Sequence, residues 1–112
     1  MVKNLNIYAQ EYVETIKYIL KKERGFFNNS ITKIYVNPEV VKKLLAKKDF
    51  DTVENKLTLW RGLRWIDCES SNRFTKRIAI ENERMYVIVF DVQVFNLLNL
   101  VFVGDEKINN EE

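Results

Sequence analysis

Residues 85–103 read MYVIVFDVQVFNLLNLVFV, from Met85 to Val103, and their interpretation decides the class of the protein. Fifteen of these nineteen residues are apolar, a length close to the shortest that crosses a bilayer as a helix. Four polar side chains, Asp91, Gln93, Asn96 and Asn99, interrupt the run. Asp91 alone would cost about 2.5–3.5 kcal/mol at the centre of a membrane helix, so a buried core is expected here and not a membrane span. Val87-Ile88-Val89-Phe90 has the β-branched and aromatic content of a buried strand. Asp91 then suits the N-cap of a short helix through Leu98. Leu100 to Val103 reads as one more strand before Gly104.

A core strand needs partners, and the preceding residues offer them. Leu57–Trp60, Leu63–Cys68, Phe74–Ile80 and Met85–Phe90 read as strands of an antiparallel meander over 57–90. Ser70-Ser71-Asn72 and Glu81-Asn82-Glu83 serve as its turns. Upstream, Asn37-Pro38-Glu39 is a helix start: Asn caps, Pro takes the first position where its missing N–H is harmless, and Glu meets the positive end of the dipole. Val40, Val41, Leu44 and Leu45 form the apolar stripe of that helix, which is expected to end near Lys48. Ile31–Val36 reads as a short strand. The first helix is marked by Leu5, Tyr8, Ala9, Tyr12, Val13, Ile16, Ile19 and Leu20 at three- and four-residue steps, with Asn4 or Asn6 as cap and Gly25 as stop. The expectation is one α+β domain over residues 1–104. It has two helices, or three with the short one after Asp91, on a mostly antiparallel sheet. Residues 105–112 are expected to be an acidic, disordered tail.

A chain of 112 residues holds one domain and should bury roughly 65% of the surface its unfolded form exposes. It contains no histidine and one cysteine, Cys68. That excludes a Ser-His-Asp triad, a Cys-His pair, histidine-ligated zinc and an intramolecular disulfide. No secretory leader is recognisable, so a reducing cytoplasm is the expected compartment. An enzyme would have to work with carboxylates, Lys, Tyr or Cys68, or with a hard cation held by oxygen. Asp67 and Glu69 flank Cys68 and would share a strand face, which makes a magnesium-dependent enzyme one alternative. A non-catalytic protein without cofactor or metal is the leading expectation.

Charge is divided unevenly behind a formal net value of +2. Residues 17–77 hold fifteen bases and seven acids, whereas residues 78–112 hold two bases and seven acids. The most unusual segment in the basic part is Trp60-Arg61-Gly62-Leu63-Arg64-Trp65, which contains both tryptophans. On an unbroken strand Trp60 and Arg64 share one face while Arg61 and Trp65 share the other, and Gly62 resets the alternation as a bulge or tight turn. Two readings follow. Either the tryptophans are core and the arginines snorkel, or a Trp/Arg surface is exposed for contact. On the second reading Trp60, Arg61, Arg64 and Trp65 join Arg73, Lys76 and Arg77, with Lys42 and Lys43 of the second helix, in binding an acidic macromolecule. That partner is nucleic acid or protein. Short length and the lack of catalytic motifs would suit an accessory protein of a phage or other mobile element.

The run Ile34-Tyr35-Val36-Asn37-Pro38-Glu39 leads to Leu44, Lys48-Asp49, and then Gly62-Leu63-Arg64-Trp65-Ile66. In this it resembles the axial domain of tailed-phage capsid proteins, where a strand, a capped helix and a loop precede a glycine and a further strand. The resemblance implies a structural role in homo- or hetero-oligomeric assembly.

Overall fold

Four residues with short oxygen-bearing side chains each stand immediately before a helix, and each accepts a hydrogen bond from a first-turn N–H. In a computed structural model that describes residues 4–103, Asn4 caps α1 (Leu5–Lys21), accepting from Asn6. Asn37 caps α2 (Pro38–Leu45) and accepts from Glu39. Thr52 caps α3 (Val53–Gly62), accepting from Asn55, and Asp91 caps α4 (Val92–Leu98), accepting from Val94. The expected tail at 105–112 lies outside the described residues.

The strands are β1 (Gly25–Phe27), β2 (Lys33–Val36), β3 (Ile66–Asp67), β4 (Lys76–Ile80) and β5 (Glu83–Asp91). Every pairing among them is antiparallel, in the order β1-β2-β5-β3, with β4 against the first half of β5. The β4–β5 hairpin turns on Glu81 and Asn82, at φ 51° and 71°. Two consecutive left-handed residues are what a two-residue turn matching the sheet twist requires. Alternation then sorts the faces. Ile34, Val36, Ile66, Ile88 and Phe90 turn toward the helices and are buried; Lys33, Tyr35, Asp67 and Val89 take the other side. The result is an α+β domain with its helices packed against a curled antiparallel sheet.

Tyr12 of α1 stands at the centre of the core. Its ring meets Trp60, Trp65 and Phe90 edge-on, at centroid distances of 5.1, 5.4 and 5.4 Å. Its hydroxyl donates to the Trp65 carbonyl and accepts from the Asp91 N–H at 3.2 Å. One side chain thereby joins α1, the turn after α3 and the end of β5. Burial pushes the Tyr12 phenol far above its usual range, so it stays protonated and able to donate.

Several expectations are corrected. Leu57–Trp60 belongs to α3 and is not a strand: Val53, Leu57 and Trp60 recur at four- and three-residue steps, and Thr52 supplies the cap. The meander is correspondingly shorter, because β3 pairs with Val89 and Phe90 at the far end of β5. Leu100–Val103 is not a strand either, since α4 continues as a π-helical segment over Asn99–Val103 and Phe102 packs against the core. Gly25 does not stop α1. The stop is Glu23 at φ 54°, with its N–H on the Leu20 carbonyl and the Arg24 N–H on the Ile19 carbonyl. Gly25 instead permits close packing, for a Cβ there would lie 2.9 Å from Ile19 Cγ2 and 3.0 Å from the Tyr35 oxygen. Among the described residues, no helix is long and apolar enough to cross a membrane.

Candidate functional site

The six residues from Trp60 to Trp65 form the end of α3. Leu63 is the last half-helical residue, and Arg64 takes the left-handed conformation at φ 64°. The Trp65 N–H returns to the Trp60 carbonyl at 2.8 Å and the Arg64 N–H to the Arg61 carbonyl at 3.0 Å. This reversal satisfies the helix's last carbonyls and turns the chain into β3. Gly62 sits two residues too early to supply the left-handed residue, so an arginine occupies that position.

The same reversal separates the tryptophans from the arginines. Trp60 is fully buried and Trp65 is half-buried against Tyr12. Burying an aromatic side chain of ~150–250 Å² at ~25 cal/mol per Å² is worth roughly 4–6 kcal/mol, which accounts for Trp60 as a core residue. The tryptophans of this segment are therefore core residues, and its arginines are the side chains that reach the surface. Arg64 is exposed and, among the described residues, makes no ion pair.

Arg61 and Arg64 line an open cleft of about 650 Å³ at the ends of β2, β3 and β5, together with Lys33, Asp67, Asp91, Ser70 and Ser71. Its two carboxylates are already matched: Asp91 lies 3.1 Å from Lys33 Nζ and Asp67 lies 2.9 Å from Lys76 Nζ. The hydrogen bond that Lys76 donates to the Asp67 carboxylate holds its ammonium above the usual lysine range. Burial alone would raise the Asp91 carboxyl, but the Val94 N–H and Lys33 outweigh it and hold it below the usual range. Positive charge from Arg61 and Arg64 is left over.

From the cleft the guanidinium groups continue over aromatic rings. Arg61 lies 4.7 Å above the centre of Phe74 and donates to the Arg73 carbonyl at 3.3 Å. Arg73 lies 5.9 Å from the centre of Tyr86. Arg77 is the cross-strand partner of Tyr86, so the two share a sheet face. Glu69 approaches Arg77 at 3.9 Å, an exposed and weak pairing. The stripe is therefore Arg64, Arg61, Phe74, Arg73, Tyr86 and Arg77.

Lys42 and Lys43 stand apart from it, exposed on α2. Lys43 lines a separate groove between α1 and α2 with Tyr18, Arg24 and Lys47. Lys33, Phe74 and Tyr86 escaped the sequence reading. The turn at Glu81-Asn82 was the available signal, since reading it as a two-residue loop places Tyr86 opposite Arg77. Asp67 and Glu69, the alternative metal pair, are engaged by Lys76 and Arg77. Cys68 is half-buried, and burial pushes its thiol up, away from the reactive thiolate.

Comparison with protein-family models gives no match, and comparison with curated proteins gives no significant relative.

Proposed function

We propose that the protein is a non-catalytic binding protein that takes nucleic acid along the arginine stripe. The observation that carries this reading is the two guanidinium–ring pairs, Arg61 with Phe74 and Arg73 with Tyr86, leading out of a cleft lined by Arg64, which has no ion pair among the described residues. Guanidinium forks match phosphate oxygens in pairs, and the cleft hydroxyls of Ser70 and Ser71 can donate to the same groups. An acidic protein would be met by the charges alone. Nucleic acid also uses the aromatic faces.

The test is titration of labelled single-stranded and duplex oligonucleotides across salt. Wild type should lose affinity steeply as salt rises, since each phosphate contact contributes about 0.7–0.9 to the logarithmic slope. The triple variant Arg64→Ser/Arg73→Ser/Arg77→Ser should flatten that slope by up to about 3 units. Lys42→Ser/Lys43→Ser reports whether α2 contributes as well. Absence of binding at low salt in the wild type would overturn the reading.

A second reading, assembly with further copies, is favoured by one observation. Leu97, Leu100 and Val101 are 59%, 52% and 59% exposed on consecutive turns at the end of α4 and the π-helical segment. Sedimentation showing oligomers that Leu97→Ser and Leu100→Ser dissolve would support it; a monomer at high concentration would sink it.

A further inference from the structure

We propose that Arg73 and Tyr86 form a slot for one unpaired base, which makes the ligand of the stripe single-stranded rather than duplex nucleic acid. The inference rests on the nucleic-acid reading above and narrows it.

The two guanidinium–ring pairs of the stripe differ. Arg61 lies close over the half-buried Phe74 at 4.7 Å, and that pair is closed. Arg73 stands 5.9 Å from Tyr86, and both are exposed, Tyr86 at 48%. A cation beyond about 6 Å from a ring gains little, so this pair is held near the limit of its own attraction. Stacked planes touch at about 3.5–4 Å, so a base between guanidinium and phenol needs roughly 7–8 Å. Widening the pair by on the order of 1–2 Å accommodates it.

The two walls are supported differently, as such a slot needs. Tyr86 is carried on β5 and held by pairing with Arg77 on β4. Arg73 precedes β4 in a loop. Its carbonyl is held by Arg61 while its long side chain has no ion pair among the described residues, so the guanidinium can shift without moving the backbone. Arg77 on one side and Arg61 with Arg64 on the other are placed for the flanking phosphates. Only an unpaired base offers both faces to such a slot, because duplex bases are covered by their neighbours.

Three ligands separate this inference from the reading beneath it: a single-stranded oligonucleotide carrying 2-aminopurine, its duplex, and inorganic polyphosphate. Wild type should quench 2-aminopurine on binding and prefer the single strand to the duplex. Tyr86→Ser should weaken the single strand by at least about 5-fold and leave polyphosphate affinity unchanged, since stacking contributes nothing to a ligand without bases. Tyr86→Phe should retain both binding and quenching. Because Tyr86 is exposed, both variants should keep the wild-type melting transition, which is checked alongside. Unquenched 2-aminopurine, equal affinity for duplex, or a single-strand affinity indifferent to Tyr86→Ser would each overturn the slot while polyphosphate binding left the cleft reading standing. If polyphosphate and both oligonucleotides fail to bind, the two fall together.

Discussion

The ammonium of Lys56, which has no exposed surface, lies 3.0 Å from Oε2 of Glu11 in the interior. It also donates to the Leu45 and Lys48 carbonyls, at 2.7 and 2.5 Å, and stands 4.2 Å from the centre of Phe50. One charge from α3 thus satisfies carbonyls at the end of α2 and a carboxylate of α1. Burial raises the Glu11 carboxyl, and Lys56 draws it partly back.

Removing one partner leaves the other charge buried and alone. Lys56→Met should cost about 3–5 kcal/mol in urea unfolding, and adding Glu11→Leu should recover much of the loss. A single variant near wild-type stability would show that the pair does not hold the helices together.

At the end of α3 stability and binding should move in opposite directions. Arg64→Gly removes a left-handed arginine and should raise stability by about 0.5–1 kcal/mol while weakening oligonucleotide binding. Gly62→Ala should stabilise by a similar amount of about 0.5–1 kcal/mol, because a Cβ there meets nothing within 4 Å. Thermal melts with parallel titrations check both.

Gly25→Ala should act the other way. Its Cβ would press on Ile19, the Tyr35 carbonyl and Val36, so about 1–3 kcal/mol of stability should be lost by the same unfolding measurement.

Asp91 gives a pH dependence of definite sign. Its carboxyl is held below the ordinary 3.8, so its contribution is present above that value and lost as pH falls through the lower, folded-state one. Asp91→Ala should cost about 0.5–2 kcal/mol near neutrality, through the lost cap and the lost Lys33 pair. The gap from wild type should narrow below pH 3.8, measured by denaturant unfolding at stepped pH.

Helix starts were legible wherever a capping side chain preceded an apolar stripe, as at Asn4, Asn37 and Asp91. α3 was not, because its buried face carries Lys56 among Val53, Leu57 and Trp60, and alternation at Leu57 and Leu59 mimics a strand. Lysine is expected in water unless carbonyls and a carboxylate from other elements wait for it, which no local pattern reveals. The arginines of the stripe could be picked out by type and spacing. Their aromatic partners could not, since Phe74 and Tyr86 acquire that role through a loop and a hairpin register. The cleft draws Lys33, Arg61, Arg64 and Asp91 from distant parts of the chain, and only the folded sheet brings them together.

The length of β5 has a consequence for how the molecule opens. Its second half, Ile88 to Phe90, lies in the core between β2 and β3, whereas Arg84 to Tyr86 pair only with β4 and stay exposed. Amide hydrogens along this one strand should therefore exchange at graded rates, fast near the hairpin and as slowly as global unfolding allows near Phe90. A ligand held by the β4–β5 hairpin would slow the fast end first, so the strand reports occupancy at one end and the stability of the whole domain at the other.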